Sequence, residues 1–146
     1  MGKGVEFELH GTLSLGSRVF ISDGVSISVG PNAEVTIADD VFIGRNTVIA
    51  ASEQVYVGER TLIAEHCSIR DGDHQPSPSE RDAETHLRTA PLVIGSSCWI
   101  GAGARVLRGA TLGYGVVVGA NAVVKSPIAD GATVVGAPAR PVTANG

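Results

Sequence analysis

The most regular feature of the chain is an aliphatic residue at every sixth position. It recurs at Leu15, Ile21 and Ile27, at Ile37, Ile43 and Ile49, at Val57, Ile63 and Ile69, at Ile94, Ile100 and Val106, and at Leu112, Val118 and Val124. Four positions after most of them stands a small or β-branched residue: Val19, Val25, Val41, Thr47, Thr61, Cys67, Cys98, Ala104, Ala110, Val116, Ala122 and Ile128. Glycine often follows the aliphatic residue directly, as at Gly16, Gly44, Gly58, Gly95, Gly101, Gly113 and Gly119. Helical periodicity fits nowhere. Short β-branched strands separated by glycine turns at a fixed period predict an all-β parallel solenoid of triangular cross-section, with three hexapeptides per coil. Coils stacked at the ~4.8 Å strand spacing would make five of them a prism about 24 Å tall, filled by aliphatic side chains.

The coil starts at 15, 37, 57, 94 and 112 differ by 22, 20, 37 and 18 residues, where eighteen is the bare coil. Every excess falls after the third hexapeptide, so the insertions should all leave the prism at one corner. The longest is the segment 71–91. From Ser126 the period weakens, and Pro127, Pro138 and Pro141 predict that the chain leaves the prism after a partial sixth coil, Asp130–Gly136, as an extended tail over 137–146. The expected organisation is one domain over 1–146, with coils over about 13–136.

Composition narrows the function classes. Six aromatic residues cannot build a ring-based core, and 19 glycines without a Gly-X-Y period exclude collagen. The formal charge of −4 argues against nucleic acid as a partner. Its distribution is uneven: residues 1–94 hold seven basic and fourteen acidic side chains, whereas 95–146 hold Arg105, Arg108, Lys125 and Arg140 against Asp130 alone. No apolar run approaches a membrane span and the first eleven residues are polar, which predicts a cytoplasmic protein without membrane insertion. Cys67 and Cys98 fall on small buried repeat positions and are expected to be reduced and structural.

Three stretches carry a resemblance. His74 stands at the mouth of the long loop with Arg81 seven positions on, and Pro91 re-enters the repeat before Ile94-Gly95-Ser96-Ser97-Cys98-Trp99-Ile100-Gly101-Ala102. Then come Val118–Lys125 and Gly136-Ala137-Pro138-Ala139-Arg140. In this order they make the chain resemble the hexapeptide-repeat acyltransferases, near the galactoside, maltose and nodulation acetyltransferases, over about 35–141. The resemblance implies a single-stranded left-handed parallel β-helix, a homotrimer, and O-acetyl transfer from acetyl-CoA to a hydroxyl of a sugar or glycosylated small molecule. No metal is then required.

The same resemblance implies roles. His74 would be the general base, since neutral imidazole accepts a proton at neutral pH. Asp71 or Asp73 could orient its ring. Coenzyme A would meet Trp99, the backbone of Ala102 and Ala120, and the cations Lys125 and Arg140, with the Ala102 N–H donating to the oxyanion. Arg81, Asp73 and Asn46 are the acceptor candidates. A galactoside-type acceptor fits poorly, because two of that enzyme's acceptor contacts fall on Gly44 and Ser52, with Asn46 and Glu53 nearby. Two other classes stay open: a metalloenzyme like the gamma-class carbonic anhydrases, drawing on His66, His74 and His86, and a non-catalytic scaffold. His66 and His10 otherwise read as surface residues, His10 preceding the first coil.

Overall fold

The computed structural model describes residues 1–73 and 87–142 in full and the backbone of His74. The described chain is all β, a solenoid of about six turns whose strands fall on three parallel sheets, with no helix among the described residues. Face 1 stacks Glu6–Leu9, Ser26–Val29, Val48–Ala51, Ser68–Arg70, Arg105–Val106 and Val123–Val124. Face 2 stacks Thr12–Leu15, Glu34–Ile37, Gln54–Val57, Leu92–Ile94 and Thr111–Leu112, with Ile128 bridging to Leu112. Face 3 stacks Phe20–Ile21, Phe42–Ile43, Leu62–Ile63, Trp99–Ile100, Val117–Val118 and Thr133–Val135.

The hexapeptide period becomes vertical columns. Ile27, Ile49, Ile69, Val106 and Val124 align on face 1, and Ile43, Ile63, Ile100 and Val118 on face 3. All nine are at most 1% exposed. Stacking identical aliphatic side chains one strand spacing apart fills the prism without aromatic rings. Leu15 stacks on Ile37 yet is 42% exposed, because it belongs to the end coil and no described coil covers it.

The corners explain the small residues and the glycines. A Cβ on Gly44 would come within 2.5 Å of the Ala64 carbonyl carbon in the coil beneath, so the backbones pass too closely there for a side chain. On Gly113 a Cβ would collide with the Asp130 carboxylate, which accepts from the Tyr114 N–H at 2.9 Å. Asp39 caps Ser17 N–H in the same way. Thr47 and Thr61 bind across coils: each hydroxyl donates to a carbonyl, Ala64 and Gly95, and accepts from the Cys67 or Cys98 N–H. Eight non-glycine residues among the described ones, including Asn46, His66 and Asn121, turn these corners with φ near +60°.

All three insertions do leave at the corner between faces 1 and 2. Two differences from the sequence reading appear at the ends. Glu6–Leu9 pairs in register with Ser26–Val29, so the solenoid begins upstream of 13 and His10 lies on its corner; the hexapeptide pattern is invisible there because Glu6, Phe7, Glu8 and Leu9 are all exposed on an end strand. The C-terminal segment, up to 142, leaves the stacked coils but does not run away from them. Arg140–Pro141 turns back and pairs antiparallel with Val134–Val135, since the last face-3 strand still offers backbone partners at its edge.

Asp71 anchors the long insertion. Its carboxylate is fully buried and accepts from the Ser52, Glu53 and Gln54 N–H groups at 2.7, 2.8 and 2.7 Å. Asp71→Ala leaves three donors of the coil above without their acceptor and should destabilise the protein by ~3 kcal/mol or more, with Asp71→Asn milder because it keeps one oxygen. Urea denaturation followed by circular dichroism measures it; a loss below ~1 kcal/mol for the alanine variant contradicts the anchoring role.

Candidate active site

The long insertion opens as an antiparallel hairpin stem, Gly72–His74 against Leu87–Thr89, at the corner between faces 1 and 2. His74 ends the outgoing strand opposite Leu87. Its side chain, Arg81 and His86 lie outside the described residues. The two acids considered as partners for the imidazole have other bonds: Asp71 caps the coil above, and Asp73 forms a two-pronged ion pair with Arg108, Nε–Oδ1 2.9 Å and Nη2–Oδ2 3.4 Å. Lys125 stands at the same corner, exposed, directly after the face-1 strand Val123–Val124.

The other candidates gather at the opposite edge of face 1. Trp99 lies on the outside of face 3 and is 57% exposed. It continues an outward apolar column of Phe20, Phe42 and Leu62, in which the two phenylalanine rings stack with centroids 5.1 Å apart. Where face 3 turns into face 1, the outermost residues of successive coils are Asp23, Arg45, Glu65, Ala102 and Ala120. None of these five residues, Ala102 and Ala120 included, donates its N–H to a backbone carbonyl among the described residues. Only at the two alanines can a ligand reach that N–H without meeting a long side chain. Arg140 lies beside this corner, opposite Val135.

Asn46 occupies the same corner, exposed, with φ +57°. Its amide oxygen lies where a Cβ on Gly24 would be, and Asn121 repeats the arrangement over Gly103. Two clefts flank the corner. One, of about 680 Å³, lies on the face-3 side between Phe20, Phe42, Arg45 and Glu65, and the other, of about 620 Å³, on the face-1 side along Asn46, Ser68, Arg105 and Asn121. His66 borders both from a left-handed turn position. Among the described residues no group of three His, Cys, Asp or Glu is placed to hold a metal ion.

Within one chain the structure lines up Ala102, Ala120 and Arg140 along one corner, with Trp99 on the adjoining face 3 and Asn46 two coils above Ala102, and puts Asp73, His74 and Lys125 at another. Face 1 separates the two corners by about 15 Å, the four to five residues from Ala120 to Lys125 at ~3.3 Å each. The roles of Asp71 and Arg108 escaped the sequence reading. Arg108 occupies an ordinary corner position of the repeat, and only the stacking of the coils puts it next to the hairpin.

Comparison with known proteins narrows what this arrangement belongs to. Residues 91–126 match the bacterial transferase hexapeptide (six repeats) model, and this segment contains Trp99, Ala102, Ala120 and Lys125. The match covers about a quarter of the chain, and over that stretch the chain is similar to the bacterial hexapeptide transferases. It is 37% identical over 75 residues to a protein of Escherichia coli (strain K12) named as a lipopolysaccharide biosynthesis O-acetyl transferase, WbbJ, covering 51% of this chain and 38% of that one. It is 40% identical over 77 residues to "Probable acetyltransferase Rv3034c" of Mycobacterium tuberculosis, covering 52% of this chain and 26% of that one. The chain thus spans well under half the length of these relatives. Among solved structures, the hexapeptide-repeat acetyltransferase VCA0836 of Vibrio cholerae, complexed with acetyl coenzyme A, superposes with a TM-score of 0.65 at 26% identity, over 98% of this chain and 66% of that one. Galactoside acetyltransferase in complex with coenzyme A shares the fold at a TM-score of 0.77 and 22% identity, over 90% and 64%.

Both thiols face inward. Burial pushes the Cys67 and Cys98 pKa values above the ordinary thiol value of 9.0, and the two sulfurs donate to the Gly101 and Gly113 carbonyls at 3.2 and 3.1 Å. Such neutral thiols are poor nucleophiles. In the native state neither cysteine should react with a thiol reagent at neutral pH, and both should react in denaturant. A thiol pKa raised by folding stabilises the native state below pH ~9 and is lost as pH rises through the native pKa, so stability should begin to fall above pH ~9. Fast native-state labelling at pH 7.5 is the contrary result.

Proposed function

We propose that the protein is an acetyl-CoA-dependent O-acetyltransferase acting on a hydroxyl of a sugar or glycosylated small molecule, assembled as a homotrimer and working in the cytoplasm. The observation that carries the reading is the corner of Ala102 and Ala120. In the coils above, the same position holds Asp23, Arg45 and Glu65, whereas within the matched family segment two successive coils bare their N–H groups beside an exposed Trp99. A thioester and its pantetheine arm need such a strip of approachable backbone, closed at one end by cations for phosphate. Arg140 supplies such a cation beside this corner, and Lys125, which like His74 stands at the opposite edge of face 1, would be supplied by a second copy.

In this mechanism the acceptor oxygen attacks the thioester carbonyl while His74 takes the hydroxyl proton. The negative charge that develops on the carbonyl oxygen is held by the Ala102 N–H. The tetrahedral intermediate expels coenzyme A as thiolate, and His74 returns the proton to that sulfur. Asn46 and Arg81 contact the acceptor, and Asp73 borders its site while paired with Arg108. Since His74 and the alanine corner sit on different edges of one chain, the site is complete only between two copies. The apolar column of Phe20, Phe42, Leu62 and Trp99 gives a face that association would bury.

His74→Ala should lower kcat by ~10²- to 10⁴-fold with the circular dichroism spectrum unchanged. Chains carrying His74→Ala, inactive alone, should regain activity when co-assembled with inactive Ala102→Leu chains, because some interfaces then pair an intact histidine with an intact corner. Wild-type turnover in the histidine variant, released thiol being the assay, removes the assignment.

Arginine grips a phosphate with two parallel charge-assisted hydrogen bonds. Losing ~1.5 to 3 kcal/mol of such contact, Arg140→Ala should weaken acetyl-CoA by about 10- to 150-fold in calorimetric titration and leave the acceptor KM little changed. Equal affinity in the variant places the phosphates elsewhere.

A further inference from the structure

The hairpin that carries His74 is held at its base from two directions. From inside, the buried Asp71 carboxylate ties the chain to residues 52–54 of the coil above, and the Asp71 carbonyl accepts from the Ala90 N–H at 3.1 Å, closing the stem. From outside comes Arg108. Ser68 and Ile69 pair with Arg105 and Val106, and continuing this register puts Arg108 under Asp71, at the corner of the coil below. From there its guanidinium reaches Asp73, the residue that immediately precedes His74, with two donors on two carboxylate oxygens at 2.9 and 3.4 Å. The Arg108 side chain is only 34% exposed in this pose.

A single ammonium would hold Asp73 at a distance. A planar guanidinium meeting both oxygens also fixes an orientation, and therefore the angle at which the stem leaves the solenoid. We propose that Arg108 is a positioning residue for His74, holding the strand Gly72–His74 through Asp73 so that the histidine is presented at a constant height and direction. The inference rests on the reading of His74 as general base. Arg88 is paired with Asp73 across the stem, the other cation that the described register puts next to that residue. It moves with the hairpin, so it cannot tie the stem to the solenoid; Arg108 can, because it belongs to the next coil.

A displacement of about 1 Å at a reacting group can cost about 100-fold in rate, so partial loosening of the stem should cost less than loss of the base itself. Arg108→Gln should lower kcat about 5- to 30-fold and leave KM for acetyl-CoA within about twofold. Arg108→Lys should fall between it and wild type. Asp73→Asn should give the same loss, and the double variant should be no worse than either single one, because both remove one interaction. Since the pair is partly exposed, raising sodium chloride from about 50 mM to about 500 mM should slow wild type several-fold and leave Arg108→Gln flat. Hydrogen exchange of the amides of residues 72–74 and 87–89 gives a readout independent of catalysis, and Arg108→Gln should accelerate it. Unchanged exchange overturns the proposal whatever becomes of His74. Faster exchange with wild-type kcat, in a protein that His74→Ala inactivates, overturns the positioning role; faster exchange in a protein indifferent to His74→Ala overturns instead the general-base reading on which it rests.

Discussion

Everything in this molecule follows from one spacing: each coil must lie one hydrogen-bonded strand distance, ~4.8 Å, beneath the coil before it. At that separation the backbone ladders on three faces are satisfied at once, and each inward side chain touches its equivalents above and below. The spacing is also intolerant. At the corners, where the chain turns, Gly44 has no room for a Cβ over Ala64, and Gly113 must yield its Cβ position to the Asp130 carboxylate. The threonine hydroxyls of Thr47 and Thr61 close the remaining polar gap by bonding to the next coil in both directions.

The same rule decides where function can reside. The faces are committed to backbone pairing inside and between coils, so a ligand can reach free backbone donors only at the corners. Which corner leaves its backbone approachable is settled by side-chain size. Asp23, Arg45 and Glu65 cover the turn between faces 3 and 1 in the upper coils, and Ala102 and Ala120 uncover it in the lower ones. Inserted chain can escape only where the stack is least constrained, at the corner between faces 1 and 2. That escape needs its own anchoring: Asp71 supplies acceptors to three amides that the departing chain would otherwise strand, and Arg108 braces the stem from below.

The two groups of candidate residues consequently sit on opposite edges of face 1. A rigid solenoid cannot fold to bring them together, as a chain of hinged elements might. On the proposed reading a composite site would need association, and the outward column of Phe20, Phe42, Leu62 and Trp99 is an apolar surface that association would cover.

The sequence by itself determined the class of fold, the inward residues and the corner from which insertions leave. A period of six is a purely local instruction, and each hexapeptide needs only its neighbours one coil away. Ile63 and Ile100 could thus be placed in the core without knowing that thirty-six residues of chain lie between them, and Cys67 and Cys98 could be assigned to the interior from their position in the hexapeptide. Where the pattern lapses, local reading fails: Glu6–Leu9 carries no inward signal because it lies at an open end, and the return of Arg140–Pro141 follows from an unpaired strand edge, which is a property of the assembled sheet. Tertiary structure alone decided that Asp71 turns inward to amides 17 to 19 residues earlier, that Arg108 meets Asp73 across 35 residues, and that His74 and Ala102 occupy different corners. These depend on the register between coils, and that register is set by the length of each insertion and by which side chains meet when the stack closes, neither of which a six-residue period encodes.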